Sequence, residues 1–287
     1  MTRLAVLSDI HGNLPALEAV MVDMQAFQVD HVVVPGDIVN WGPFNREVME
    51  LVTAQRWSMI RGNNEFYLLD YLSPRAPEHW KEFTLPPWLH EQLKDWFNFI
   101  AGMPDELQFR FPDAPPVRVA HGYPGNPWEA IFPDTPDDRV REMLHSVEES
   151  TIITAHSHII MDRVVDSWHI LNAGSVGVPL DGIRSASYMI VDGDSSGWQA
   201  TLRRVAFDYE RVYAEFERQK FVERVGVTGH LLIEEYKTAR LRVHPCQVWC
   251  RETYPGEVLT FARAEEFLRS VDPNPYMPPA YRVNHHT

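Results

Sequence analysis

The stretch Leu4-Ala5-Val6-Leu7-Ser8-Asp9-Ile10-His11-Gly12 decides the fold. It reads as a short apolar strand that runs straight into a polar, glycine-containing loop, and a helical pattern follows over 14–27. The same unit recurs downstream. A strand over 31–35 ends at Pro35-Gly36-Asp37, a helix follows over 45–55, and a strand over 57–60 ends at Arg61-Gly62-Asn63-Asn64. This β-α-β-α-β order predicts a parallel sheet covered by helices. Ligands of such sheets gather beyond the carboxyl ends of the strands, where these loops lie.

Residues 66–108 carry several Pro and Trp residues and a helix predicted over 87–100, with Leu89, Leu93, Trp96, Phe97 and Ile100 at helical spacing. We read the segment as an inserted helical cover. Strands return at 117–120, 151–155, 168–172, 186–192 and 198–205. Their β-branched and aromatic content and short polar separators predict a second, largely antiparallel sheet. From residue 207 the pattern changes to charged helices over 208–224 and 230–242, followed by a Pro-rich tail over 272–287. The expected organisation is an α/β domain over 1–205 and a mainly helical C-terminal extension over 206–287 packed on its core. His285-His286 in the tail is too short a run to indicate a metal site.

The chain has 287 residues and is 45% hydrophobic, enough for one large core without covalent staples. Twenty-six Lys and Arg against 40 Asp and Glu give a formal charge of −14, which disfavours generic nucleic-acid binding. A small phosphorylated substrate stays compatible with that charge, because divalent ions reverse the field inside a cleft. Apolar stretches are strand-sized, far short of the roughly 20 residues of a membrane helix, so no membrane partner is expected. Met1-Thr2-Arg3 leads directly into the first strand with no room for a secretory signal. Cys246 and Cys250, in C-x3-C spacing, read as ordinary reduced thiols. Together these features predict a cytoplasmic protein, with homo-oligomerisation left open.

Five segments place metal-binding side chains directly after a strand: Asp9 with His11, Asp37, Asn63, His121, and His156 with His158. In an extended stretch residues i and i+2 point the same way, so each pair is expected to converge on one centre. Helix capping would explain Asp9 and Asn63 but none of the four histidines. A shell of imidazole, carboxylate and amide oxygen suits manganese, iron or zinc, with nickel or cobalt as alternatives. A carboxylate shared by two ions roughly 3.5–4 Å apart is what two-metal hydrolysis needs, with a bridging hydroxide attacking phosphorus in line.

The motifs Asp9-Ile10-His11, Gly36-Asp37, Gly62-Asn63-Asn64-Glu65, His121-Gly122 and Ala155-His156-Ser157-His158 together resemble those of the calcineurin-like metallophosphoesterase family, over about residues 3–205. The segment Asn172-Ala173-Gly174-Ser175-Val176-Gly177 is similar to a loop of its small bacterial branch, often compared with phosphodiesterases and diadenosine tetraphosphatases. The resemblance implies a two-sheet α/β/β/α sandwich, two divalent metal ions, and cleavage of a small phosphodiester, nucleotide or activated phosphoester. It further implies one metal held by Asp9, His11 and His158, a second held by Asn63, His121 and His156, and Asp37 bridging them.

Two positions depart from that pattern. The family usually carries His after the metal-binding Asn, where this chain has Asn64. An amide donates a hydrogen bond but delivers no proton, so general-acid help worth about 10²- to 10⁴-fold is missing from this catalytic position. The alternatives are an acidic leaving group, a distal donor such as His90, His230 or His244, or impaired catalysis. The second departure is Val39-Asn40-Trp41-Gly42-Pro43, which stands where protein phosphatases continue into Asp-Arg-Gly, and this argues against phosphoprotein phosphatase activity. Trp41 is a candidate to flank an aromatic group of the substrate and Arg61 a candidate phosphate contact, each set against a packing or ion-pair role. The rival functions are a catalytically impaired metal-binding scaffold of the same fold and a nuclease of the same superfamily.

Overall fold

Alternation along β1 (Thr2–Val6) sets the layers: Leu4 and Val6 face one apolar cluster, while Ala5 and the following Leu7 face another. In the computed structural model, which describes residues 1–78, 80 and 84–282, β2 (His31–Val34) pairs in parallel with β1, and β3 (Ser58–Met59) pairs in parallel with β2. A second sheet holds β4 (Glu106–Phe109), β5 (Val117–Ala120), β6 (Thr151–Thr154), β7 (Ile160–Val165) and β8 (Trp168–Ala173) in the order β4-β5-β6-β8-β7. The hairpin of β9 (Ala186–Asp194) and β10 (Gly197–Val205) returns to the first sheet, with β9 antiparallel to β1. That sheet therefore reads β10-β9-β1-β2-β3.

Two expectations are corrected here. Segments 186–192 and 198–205 belong to the first sheet, because β9, buried at its first six positions, fills the otherwise open side of β1. The second sheet is mixed: β5, β6 and β8 run parallel at its centre, and only β4 and β7 are antiparallel edges. Burial of every residue of β6 accounts for this, since strands covered on both faces favour parallel sheets. Edge strands β4 and β7 escape sequence reading, and β4 uses the end of the segment taken as helical cover.

Between the sheets lie Leu4, Val6, Val33, Val119, Ile153 and Leu171. Behind the second sheet, α6 (Asp137–Leu144) buries Val140, Met143 and Leu144 against Ile152 and Ile170. Behind the first sheet pack α1 (Leu14–Met24), α2 (Asn45–Thr53), α3 (Asn63–Asp70), α4 (Leu85–Leu93) and α5 (Phe97–Gly102). The result is an α/β/β/α sandwich. The single helix predicted over 87–100 is two, α4 and α5, joined by a 3-10 turn at Lys94–Trp96.

The remaining chain forms α7 (Tyr209–Arg218), α8 (Phe221–Val225), α9 (Val227–Thr238), α10 (Val243–Thr253) and α11 (Phe261–Ser270). Val212, Phe216, Phe221, Leu232 and Tyr236 join the same apolar cluster as α1, α2 and α4. Trp88 meets Phe221 edge-on at 4.9 Å. Cys246 and Cys250 are buried free thiols in a smaller cluster with Trp249 and Phe267. The described part of the tail forms two 3-10 turns, Asn274–Tyr276 and Pro279–Tyr281, and the Tyr281 hydroxyl donates to the Ser157 carbonyl at 2.7 Å. His285-His286 lies outside the described residues. No described helix is long and apolar enough to cross a membrane.

Candidate metal centre

The loops after β1, β2 and β3 of one sheet and after β5 and β6 of the other meet at one end of the sandwich, each carrying part of the candidate ligand set. Their convergence does not come from strand alternation. Asp9, His11, Asp37, His156 and His158 all have left-handed backbone, with φ of 53°, 48°, 52°, 66° and 54°. Each such residue costs a non-glycine side chain about 1–2 kcal/mol. Backbone bonds between loops offset the strain: His11 N–H donates to the Asp37 carbonyl at 2.9 Å, Gly12 N–H to Ile38 at 2.9 Å, and Gly177 N–H to Asp9 at 3.0 Å. Gly62 is required for space, because a Cβ there would overlap the Asp37 carboxylate.

Two groups of potential ligand atoms result. Asp9, His11, Asp37 and His158 form one, and Asp37, His121 and His156 the other, with the atoms of each group within 4.8 Å of one another. Oδ2 of Asp37 lies 3.6 Å from His11 Nε2 and 3.3 Å from His121 Nε2. In the first group His158 Nε2 stands 3.3 Å from Asp9 Oδ1 and 3.1 Å from His11 Nε2. Asn63 Oδ1 stands 2.9 Å from His121 Nε2, beside the second group.

Outer contacts decide which ring nitrogens face inward. His121 Nδ1 bonds the Pro35 carbonyl at 2.8 Å and His158 Nδ1 the Val178 carbonyl at 2.6 Å, so each neutral ring carries its proton outward and turns the Nε2 lone pair to the centre. Asp9 Oδ2 is buried with no hydrogen-bond partner. Burial pushes His11 and His156 down to about 4. At His121 burial acts the same way, but the Asp37 carboxylate outweighs it and raises the ring to about 9. Buried carboxylates facing several imidazoles thus hold protons until a cation replaces them. An orphaned carboxylate oxygen, inward lone pairs and oxygen-plus-imidazole chemistry fit a divalent transition metal.

Other expected site residues lie as follows. Asn64 is buried and donates from its backbone to Asp37 Oδ1 at 2.9 Å and from its side chain to Oδ2 at 2.5 Å. Trp41 stacks on His11 with ring centres 4.9 Å apart and planes 15° from parallel, so one face is already used. The Arg61 guanidinium is committed to Asp105 at 2.5 Å and lies over the Phe66 ring. The distal histidines do not reach the centre: His90 packs edge-on against Phe97 at 4.8 Å, His230 meets Glu265 at 2.9 Å, and His244 is on α10, outside both ligand groups.

Sequence reasoning misses three residues beside the centre. Glu65 accepts four backbone N–H groups, from Asp37, Ile38, Val39 and Gly62, and so shapes the loop around Asp37. Burial and the Asp37 charge push it up to about 7 against those donors. Its position three residues after Gly62, the residue preceding α3, is the capping signal that would reveal it. Asn40 hydrogen-bonds Asn64, and its Asn-Trp-Gly-Pro setting is a turn signal. Tyr281 reaches the His156–His158 loop from the far end of the chain, and no local pattern announces that contact.

Comparison with known proteins agrees with this geometry. The model of the calcineurin-like phosphoesterase superfamily domain matches residues 2–196. MJ0912, an uncharacterized protein of Methanocaldococcus jannaschii, is 28% identical over 239 residues, covering 78% of this chain and 96% of that protein. The crystal structure of a metallophosphoesterase from Sphaerobacter thermophilus is 25% identical with a TM-score of 0.64, covering 83% of this chain and 99% of its own. The hypothetical protein PH1004 from Pyrococcus horikoshii OT3, 20% identical with a TM-score of 0.70 over 84% of this chain and all of its own, shares the fold. With the family model spanning well over half the sequence and a buried Asp/His cluster at its strand ends, the chain belongs to the calcineurin-like phosphoesterase superfamily.

Proposed function

We propose that the protein is a two-metal phosphohydrolase for small phosphodiesters, nucleotides or activated phosphoesters with acidic leaving groups. The observation that carries this reading is the sharing of Asp37 by two buried ligand groups. Asp9, His11 and His158 would hold one ion and Asn63, His121 and His156 the other, with Asp37 between them. When bound, two divalent ions supply Lewis-acid charge for the phosphoryl oxygens and acidify water into a nucleophile. The chain's own residues hold the ligands: Pro35 and Val178 carbonyls aim the imidazoles, and Glu65 with Asn64 fixes the Asp37 loop.

Asn64 narrows the substrate class. Its amide has no proton to give a departing oxygen, and none of His90, His230 and His244 joins the cluster, so leaving groups that depart unprotonated suit the site. Acidic surroundings disfavour a nuclease: a cleft of about 110 Å³ beside His121 is lined by Asp105 and Glu106, and the whole chain carries −14. Manganese, iron or zinc fits the donor set.

The test is turnover of bis-p-nitrophenyl phosphate and p-nitrophenyl phosphate by protein loaded in turn with manganese, iron, zinc, nickel and cobalt. We expect metal-dependent release of nitrophenolate, abolished by Asp37→Ala. Absence of turnover with every metal would favour the scaffold reading, which Asn64 motivates.

A further inference from the structure

We propose that Asn40 is a positioning residue that sets the Asp37 carboxylate through Asn64, an inference that rests on the two-metal reading above. The hydrogen bonds fix a direction. Trp41 N–H donates to Asn40 Oδ1 at 2.9 Å, so the Asn40 amide must present Nδ2 to its other neighbour. That neighbour is Asn64 Oδ1, at 2.5 Å. Asn64 is thereby obliged to turn Nδ2 toward Asp37 Oδ2, 2.5 Å away, while its backbone N–H holds Oδ1 at 2.9 Å. Oδ2 is the oxygen lying between His11 and His121. A backbone donor thus dictates, through two amides, the orientation of the one carboxylate that both ligand groups share.

The loop bears the marks of a constraint held for a purpose. Asn40 and Trp41 are consecutive non-glycine residues with left-handed backbone, at φ 76° and 65°. The strain is retained by Asn45, whose Oδ1 accepts Asn40 N–H at 2.7 Å and whose Nδ2 donates to Gly42 at 2.8 Å. Asn40, Asn64, Asn45 and Asp37 are all buried, so water does not substitute for a lost member. The same turn lays Trp41 on His11. One strained turn therefore supports a ligand on each side of the centre, and Asn64 acts as an orienting donor in place of an acid.

Asn40→Asp gives a test with a distinctive sign. The new carboxylate still accepts Trp41 N–H but offers no donor, so Asn64 is driven to flip and face Asp37 with its oxygen. A simple field effect of the added negative charge would tighten cation binding, whereas the relay requires weakening. Titrating metal-free protein with Mn(II), we expect N40D to weaken the second ion by about 10- to 100-fold and to erase the exchange-coupled electron paramagnetic resonance signal of a carboxylate-bridged pair. N40A should weaken it by about 10-fold, and N40D in an N64A background should add no further loss. Thermal melts of the metal-free variants check folding, and N40A serves if N40D fails to fold. Unchanged or tighter second-ion binding in N40D, or additive effects of N40D and N64A, would overturn the relay. Parallel wild-type assays separate the two readings: turnover with unaltered N40D binding removes the relay alone, and a weakened pair without any wild-type turnover removes the phosphohydrolase alone.

Discussion

Asn64 sits where a proton donor would matter most, and the structure gives its amide a different task, holding both oxygens of Asp37. Rates should therefore depend steeply on leaving-group acidity across a series of aryl and alkyl phosphodiesters. Replacing Asn64 by His should flatten that slope and raise the slowest substrates by about 10²-fold or more, with little gain for nitrophenyl esters. Equal scaling of every substrate would show that position 64 has no bearing on proton delivery. At this scale the candidate ligands were legible, since Asp, Asn and His follow five successive strand patterns. The reason for their convergence was not, because alternation along an extended chain suggested it and left-handed turns at Asp9, His11, Asp37, His156 and His158 produce it. Such turns depend on bonds between loops distant in sequence, as from His11 to Asp37 and from Gly177 to Asp9.

Among the elements, α9 and α10 are joined by a buried carboxylate. Glu235 on α9 accepts the backbone N–H groups of Arg242 and Val243 at 2.7 and 2.9 Å, at the start of α10. Its other oxygen is buried without a partner, and burial pushes the group up to about 7 despite those two donors. A carboxyl raised in the folded state favours folding while it is protonated. Its contribution is therefore complete below the unfolded value near 4.5 and is lost as pH rises through about 7. Glu235→Gln keeps the acceptor and removes the titration, so its melting temperature should gain on wild type by roughly 5 °C between pH 5 and pH 8. A constant difference across that range would refute the assignment. Among elements, β1, β2, β5, β6 and the first helices were legible from period and punctuation. The placement of β9 and β10 was not, because burial on both faces says nothing about which sheet a strand joins. Short edges such as β4 carry too few residues to show a period.

At the level of the molecule, one apolar cluster runs from the first sheet through the helical cover to α7, α8 and α9, so the later helices are part of the body that supports the strand-end loops. Tyr281 closes the circuit by binding the loop that carries His156 and His158. The sandwich brings the loops after three strands of one sheet and two of the other to a single end, and Asp37 is the side chain common to both ligand groups. Sharing of Asp37 between two ions is therefore the claim on which the rest depends. Anomalous X-ray diffraction from crystals grown with Mn(II) tests it directly. Two peaks are expected about 3.5–4 Å apart, one among Asp9, His11 and His158, the other among Asn63, His121 and His156, with Asp37 between them. A single peak, or two peaks that do not share Asp37, would contradict it.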